Sequence, residues 1–167
     1  MTHQPGTALL DTPLGPLAVV VDGDGSVLAS GFGPLEDLLT RLNMPSRPGP
    51  AAATQFGGIV TAVRRYFDGD LRALDGVPVR QPGGAFRQAA WAALRQVEPG
   101  QPISYAELAR RAGSPGAARA AGQACARNRV APFVPCHRVV PSGGGVGGYA
   151  YGAAVKSGLL RHERGPR

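Results

Sequence analysis

Two cysteines, three histidines and eleven acids give this chain of 167 residues a small chemical repertoire. Cys136, His137 and Arg138 are consecutive, inside Val134-Pro135-Cys136-His137-Arg138-Val139-Val140. The thiolate is the nucleophilic form of cysteine, and a neighbouring base or cation favours it. Adjacent side chains often point apart, however, so the pair read alone also fits an inert, buried cysteine. Pro132 and Pro135 argue against a continuous helix or central strand here and put Cys136 on a fixed turn. Cys125 reads as a small packing residue. Two Cys and three His supply neither a disulfide framework nor a zinc spacing, so no metal is expected.

Charge and periodicity outline the elements that must hold this segment. Residues 1–85 carry six Arg and eight acids, whereas residues 86–167 carry twelve cations and three acids. A basic half is the footprint of a polyanion partner, most often nucleic acid, although a solvated basic surface reads the same way. Leu17 to Val21 and Val27 to Phe32 form a hairpin across Asp22-Gly23-Asp24-Gly25. Leu35, Leu38, Leu39 and Leu42 mark one helix, and Phe56, Ile59, Val60, Val63 and Phe67 a second. Asn43 to Ala53 is a connector. In the second half, Phe86 to Val97 is a helix stopped by Pro99-Gly100. Ser104 and Glu107 form a capping box for a helix ending near Ala112, and another helix runs from Ala117 to Arg127 after the turn Gly113-Ser114-Pro115-Gly116. Those two helices make a helix-turn-helix. Its second helix is nearly bare of the side chains that read base edges, which suits close backbone approach to DNA or tight helix packing.

The hexapeptide Pro135-Cys136-His137-Arg138-Val139-Val140 resembles the active-site signature of the O6-alkylguanine-DNA alkyltransferases, the methylated-DNA–protein-cysteine methyltransferases. The likeness is close over residues 85–163 and looser around Thr12-Pro13-Leu14-Gly15-Pro16-Leu17. It implies that Cys136 is the alkyl acceptor and His137 the base, acting through a bound water. Glu163 matches the carboxylate that orients that histidine, Asn128 the hinge, and Tyr105 the donor to the departing guanine. Arg119 matches the residue that fills the stack after base flipping, on a helix laid in the minor groove with Ala118, Ala120 and Gly122. Arg127 and Arg129 would add phosphate contacts. Tyr149, Lys156, Val139 and Val146 match the wall of the substrate site. No cofactor is implied.

Departures from the family pattern carry their own expectations. Tyr151 stands where a glycine is usual, which implies a narrower entry to the alkyl pocket. Arg129 replaces the proline that usually follows the hinge Asn. The zinc-binding residues of some members are missing.

The reading is an α+β protein with an N-terminal β-sheet and flanking helices in residues 1–80. Residues 85–167 form a mainly helical domain holding the helix-turn-helix and active site. It would transfer an alkyl group from O6-alkylguanine, and from O4-alkylthymine as a second substrate, in duplex DNA to Cys136 in a single turnover. A lesion-binding protein without transfer and a helix-turn-helix regulator are the alternatives; Cys136 opposes the first and the bare helix the second. No run reaches the ~18 apolar residues of a membrane span, and the N-terminus lacks a basic leader. A cytoplasmic monomer acting on DNA is therefore expected.

Overall fold

A computed structural model describes residues 4–43 and 47–165. Part of the connector between residues 43 and 53 lies outside them. The chain divides into two compact units, Met1–Gln81 with Arg129–Phe133, and Pro82–Asn128 with Val134–Arg167. The segment Arg129–Phe133 is thus grouped with the first unit rather than with its neighbours in sequence. The small sheet together with the helices makes the fold α+β.

The first unit is built on an antiparallel meander of β1 (Gly6–Thr12), β2 (Gly15–Val21) and β3 (Val27–Phe32). The hairpin of β2 and β3 follows the sequence reading, but β1 was not foreseen. It is recruited by the Thr12–Gly15 turn, where Gly15 adopts φ +105° and Thr12 Oγ1 donates to the Gly15 carbonyl at 2.6 Å. Such a φ strains any residue with a Cβ. Helix α1 (Leu35–Leu42) lays Leu38 and Leu39 on Ala18, Val20 and Ala29, as its leucine spacing requires. Helix α2 (Ala53–Phe67) buries Ile59, Val63 and Tyr66.

An exposed β3 edge would leave its backbone groups unpaired. Two short segments cover it instead. Val27 donates to the Pro78 carbonyl at 2.8 Å and accepts from Arg80 at 3.0 Å. Farther along, Ser30 N–H donates to the Arg129 carbonyl at 2.7 Å, and Ser30 Oγ to the Ala131 carbonyl at 2.7 Å. Residues 129–131 are therefore held as a strap just upstream of Cys136.

The second unit contains α3 (Ala85–Leu94), α4 (Tyr105–Arg111), α5 (Ala118–Ala126) and α6 (Ala153–Arg164). Helix α3 ends at Leu94, short of Pro99-Gly100. Its chain continues in tight turns from Ala93 to Val97, which keep Val97 buried in register with the helix face. Half of the expected capping box forms: Ser104 Oγ accepts from Glu107 N–H at 3.1 Å. The Glu107 carboxylate does not reach back, because Arg110 and Arg111 hold it and keep its pKa low, at about 2. Gly113 and Gly116, both near φ +89°, turn the chain between α4 and α5. Trp91 is more than core filling, since its Nε1 donates to the Ala124 carbonyl at 2.8 Å and fixes α3 to α5. No helix among the described residues is long and apolar enough to cross a membrane.

Candidate active site

Cys136, His137 and Arg138 form a single 3-10 turn, the fixed turn that Pro132 and Pro135 before it imply. Its entry is shaped by one carbonyl. Val134 O accepts from Cys136 N–H at 2.9 Å and from Asn128 Nδ2 at 2.8 Å. Asn128 is buried, so it anchors the point where the strap returns. Its exit is paired to the segment before α4, with Ile103 donating to Arg138 O and accepting from Val140 N–H, both at 2.9 Å.

His137 is fully buried and its Nε2 lies 3.0 and 3.1 Å from the two Glu163 oxygens. With the carboxylate ionised, Nε2 must carry the proton, which leaves the lone pair on Nδ1. Among the described residues Nδ1 is buried and has no hydrogen-bond partner. Burial lowers the His137 pKa; the bond to Glu163 opposes this, while Arg138 and Lys156 add to it. His137 is therefore a neutral imidazole at pH 7, with one nitrogen spoken for and the other available as a base.

Arg138 was not assigned a role from sequence beyond being a cation near the thiol. Its guanidinium is committed to Glu163, through Nε at 2.9 Å and a second nitrogen at 2.8 Å, and to the Val97 carbonyl at 2.8 Å. Burial would raise the Glu163 pKa, but His137 and Arg138 outweigh it and hold it at about 2. The last turn of α6 is drawn close to the loop after α3, where Gly100 adopts φ +80° and a Cβ would stand 2.9 Å from the Glu163 carbonyl oxygen. Only glycine fits that approach.

Lys156, 1% exposed, donates to the carbonyls of Val139 at 2.8 Å and Gly148 at 3.3 Å. It staples together the two ends of the glycine-rich segment that follows the 3-10 turn. Burial lowers its pKa, and Cys136 and Cys125 oppose that shift. Tyr105, half buried at the start of α4, has its pKa raised by burial and then by the same two thiols, so it keeps its phenolic proton. Tyr105, Cys125, Cys136 and Lys156 thus belong to one electrostatic neighbourhood. The sequence reading puts Cys125 outside it, as packing; its position on α5, three residues before Asn128, is the signal that could have found it.

The other predicted residues have placements of their own. Arg119 is exposed on α5 with Gln123 and Arg127 farther along, while Ala121 and Ala124 are buried. Ala118, Ala120 and Gly122 are half buried. Gly122 lies against Tyr105, where a Cβ would stand 3.8 Å from the ring, so the small residues serve close helix packing as well as a smooth outer face. Arg129 is exposed, and its N–H, which a proline would lack, donates to Gln81 Oε1 at 2.8 Å. That bond accounts for a non-proline residue after Asn128. Tyr149 and Tyr151 meet edge to face at 5.4 Å. Val146 lines a cavity of about 330 Å³ with Pro102, Val140 and Leu160, and Cys136, His137 and Tyr105 are not among its lining residues. No group of metal-ligating side chains occurs among the described residues.

Residues 85–165 match the family model for the 6-O-methylguanine DNA methyltransferase DNA-binding domain. The methylated-DNA–protein-cysteine methyltransferase of Shigella flexneri is 38% identical over 156 residues, covering 91% of each chain. That of Mycobacterium bovis is 39% identical over 159 residues, covering 93% of this chain and 90% of the relative. Among solved structures, the O6-methylguanine methyltransferase of Mycobacterium tuberculosis superposes with a TM-score of 0.77 at 30% identity, covering 96% and 93% of the two chains. The Mycobacterium tuberculosis OGT in complex with DNA gives 0.75 at 33% identity, covering 95% and 92%.

The shared carboxylate has a measurable signature. Glu163 has a lower pKa folded than unfolded, so the unfolded chain takes up the proton first. The stability this supplies is complete above about pH 4.5, amounts to on the order of 3 kcal/mol, and is lost as pH falls towards 2. Urea unfolding across that window should show stability rising with pH in the wild type. Glu163→Gln should flatten the slope and, by leaving Arg138 buried without its partner, cost about 3–5 kcal/mol at neutral pH.

Proposed function

From the membership of this chain in the O6-methylguanine-DNA methyltransferase family, we infer that Cys136 is the thiol to which it transfers an alkyl group from damaged DNA. The protein is a DNA-binding repair methyltransferase. The observation that carries the assignment of its centre is His137, held by Glu163 through Nε2 and left with an uncommitted Nδ1 next to Cys136 in the chain.

The chemistry runs in one displacement. His137 Nδ1 takes the thiol proton through a bound water, and the Cys136 thiolate attacks the alkyl carbon of O6-alkylguanine. The S–C bond forms as the C–O6 bond breaks, and the electron pair stays with guanine. Tyr105, protonated because its pKa is raised, donates to the departing base as charge develops on it. Glu163 orients His137 and stabilises it when it becomes an imidazolium, the part an orienting carboxylate plays in a nucleophile–base–acid triad. The resulting thioether is a stable bond that neither an imidazole nor a protonated thiol cleaves, so the protein reacts once.

The target atom lies inside a duplex, and extrusion of the base costs a few kcal/mol. Arg119 compensates by entering the space the nucleotide leaves, from the small-residue face of α5 in the minor groove. Arg127 and Arg129 contact phosphates, and Tyr149, Lys156, Val139 and Val146 form or support the substrate wall. In this reading residues 1–80 are a scaffold domain, residues 85–167 the DNA-binding and active-site domain, and the protein a cytoplasmic monomer. The lesion-binding and regulatory alternatives leave the buried base beside Cys136 without a use.

Intact-protein mass after mixing with a duplex carrying one O6-methylguanine should rise by a single methyl that maps to Cys136. Cys136→Ala should show no increment. An increment on another residue, or lesion binding with no increment in the wild type, contradicts the assignment. Arg119→Ala should slow transfer from duplex roughly 10- to 100-fold, the equivalent of the flipping cost, while transfer from a single-stranded lesion changes little. Equal slowing on both substrates would make Arg119 a general binding residue.

A further inference from the structure

Cys125 takes no part in the displacement, yet it shares the surroundings of the acceptor. It lies on α5 three residues after Gly122, and residues three apart occupy one helix face. That face is the one turned to Tyr105, because the Gly122 Cβ direction meets the Tyr105 ring at 3.8 Å. The Cys125 side chain is half buried. Its carbonyl accepts from Asn128 N–H at 3.2 Å, and Asn128 Nδ2 donates to Val134 O, which also accepts from Cys136 N–H. One buried residue, through its backbone N–H on one side and its side-chain amide on the other, therefore ties together the backbones that carry the two thiols. The electrostatics agree with this placement, since each thiol acts on Tyr105 and on Lys156, and Cys136 acts on Cys125.

We propose that Cys125 is a resolving thiol: a hydroperoxide oxidises Cys136, and Cys125 then closes a Cys125–Cys136 disulfide that masks the acceptor reversibly. This rests on Cys136 being the acceptor. In the first step the Cys136 thiolate takes the terminal oxygen of the hydroperoxide, giving a sulfenic acid and releasing water or an alcohol. In the second, the Cys125 sulfur attacks the Cys136 sulfur, the S–O bond breaks, and the oxygen leaves as water with the Cys125 proton. Two thiols are oxidised by two electrons and the peroxide is reduced by two.

The resting chemistry keeps the two roles apart. Burial, and then the Cys136 thiolate, push the Cys125 thiol up to about 12, with Lys156 opposing. Cys125 is therefore protonated and does not compete for the alkyl group. Once Cys136 is a neutral sulfenic acid that repulsion is gone, and Lys156 favours ionisation of Cys125. Further oxidation of a sulfenic acid to the sulfinic acid is irreversible, and a protein that can react only once would be wasted by it. A disulfide stops the ladder at a step that a dithiol reverses.

The test uses the full chain with hydrogen peroxide, followed by intact mass, peptide mapping without reductant, and transfer assays before and after dithiothreitol. The wild type should lose two hydrogens and yield a cross-linked peptide joining Cys125 to Cys136. It should lose transfer, and regain its untreated level with dithiothreitol. Cys125→Ala and Cys125→Ser, each compared with its own untreated activity, should instead gain oxygen on Cys136 and stay inactive. Wild type that accumulates oxygen on Cys136 as those variants do, or that links two copies of the chain, overturns the proposal. Untreated wild type that is methylated on Cys136 but forms no internal disulfide refutes this inference alone. Methylation elsewhere refutes the acceptor assignment whatever the disulfide does.

Discussion

One carboxylate, Glu163, is shared between a guanidinium and an imidazole with no access to water, and the chemistry of the second unit depends on that sharing. The pair Arg138–Glu163 is neutral as a whole, so the buried cluster carries no net charge while His137 is neutral. Desolvating two ions is costly, and a buried pair persists only where the remaining hydrogen-bonding capacity is filled. Here it is filled: Arg138 also reaches the Val97 carbonyl, and both Glu163 oxygens accept from both partners. Protonating His137 adds an uncompensated charge with Lys156 nearby. The same cluster stabilises an imidazolium better than an apolar pocket would, because Glu163 stays ionised. A base that is neutral at rest and tolerated when charged is what removal of a thiol proton requires.

The elements around the cluster can be understood by what they supply to it. Turns after α3 present the Val97 carbonyl, and Gly100 lets that loop meet the backbone of Glu163. Ile103 pairs with the exit of the 3-10 turn just before Ser104 caps α4, so Tyr105 is fixed relative to the acceptor through Ser104, Ile103, Arg138 and His137. Asn128 holds the entry. Lys156 closes the glycine-rich segment, and Gly147 allows the approach, since a Cβ there would stand 2.9 Å from Pro141. In the first unit, Ser30 holds residues 129–131 as an extension of the sheet.

Much of this was legible in the sequence, for identifiable reasons. Helical periodicity located α1, α2 and α3, and a continuous apolar run with a Gly-Asp turn located β2 and β3. Two prolines just before Cys136 implied a turn. The misses share a cause: they concern partners distant in sequence. Strand β1 has weak periodicity and forms because β2 is there to pair with it. Glu107 satisfies the local capping rule, yet two arginines one turn later compete for its carboxylate and win. Arg138 lies within the signature hexapeptide, but its bond to Glu163 spans 25 residues and its bond to Val97 spans 41. Cys125 looked like packing because nothing local connects it to a thiol eleven positions later. Asn128 makes that connection, and only the fold reveals it.

The tautomer of His137 tests the central claim most directly, read from nitrogen-15 chemical shifts and ring couplings in the wild-type protein. The account predicts a single neutral form at pH 7, with the proton on Nε2 and an unprotonated Nδ1, and a shift towards imidazolium only below the ordinary histidine range. In Glu163→Gln the preference for the Nε2 proton should weaken. A wild-type His137 that is an imidazolium at pH 7, or that carries its proton on Nδ1, would contradict the assignment of that nitrogen as the base.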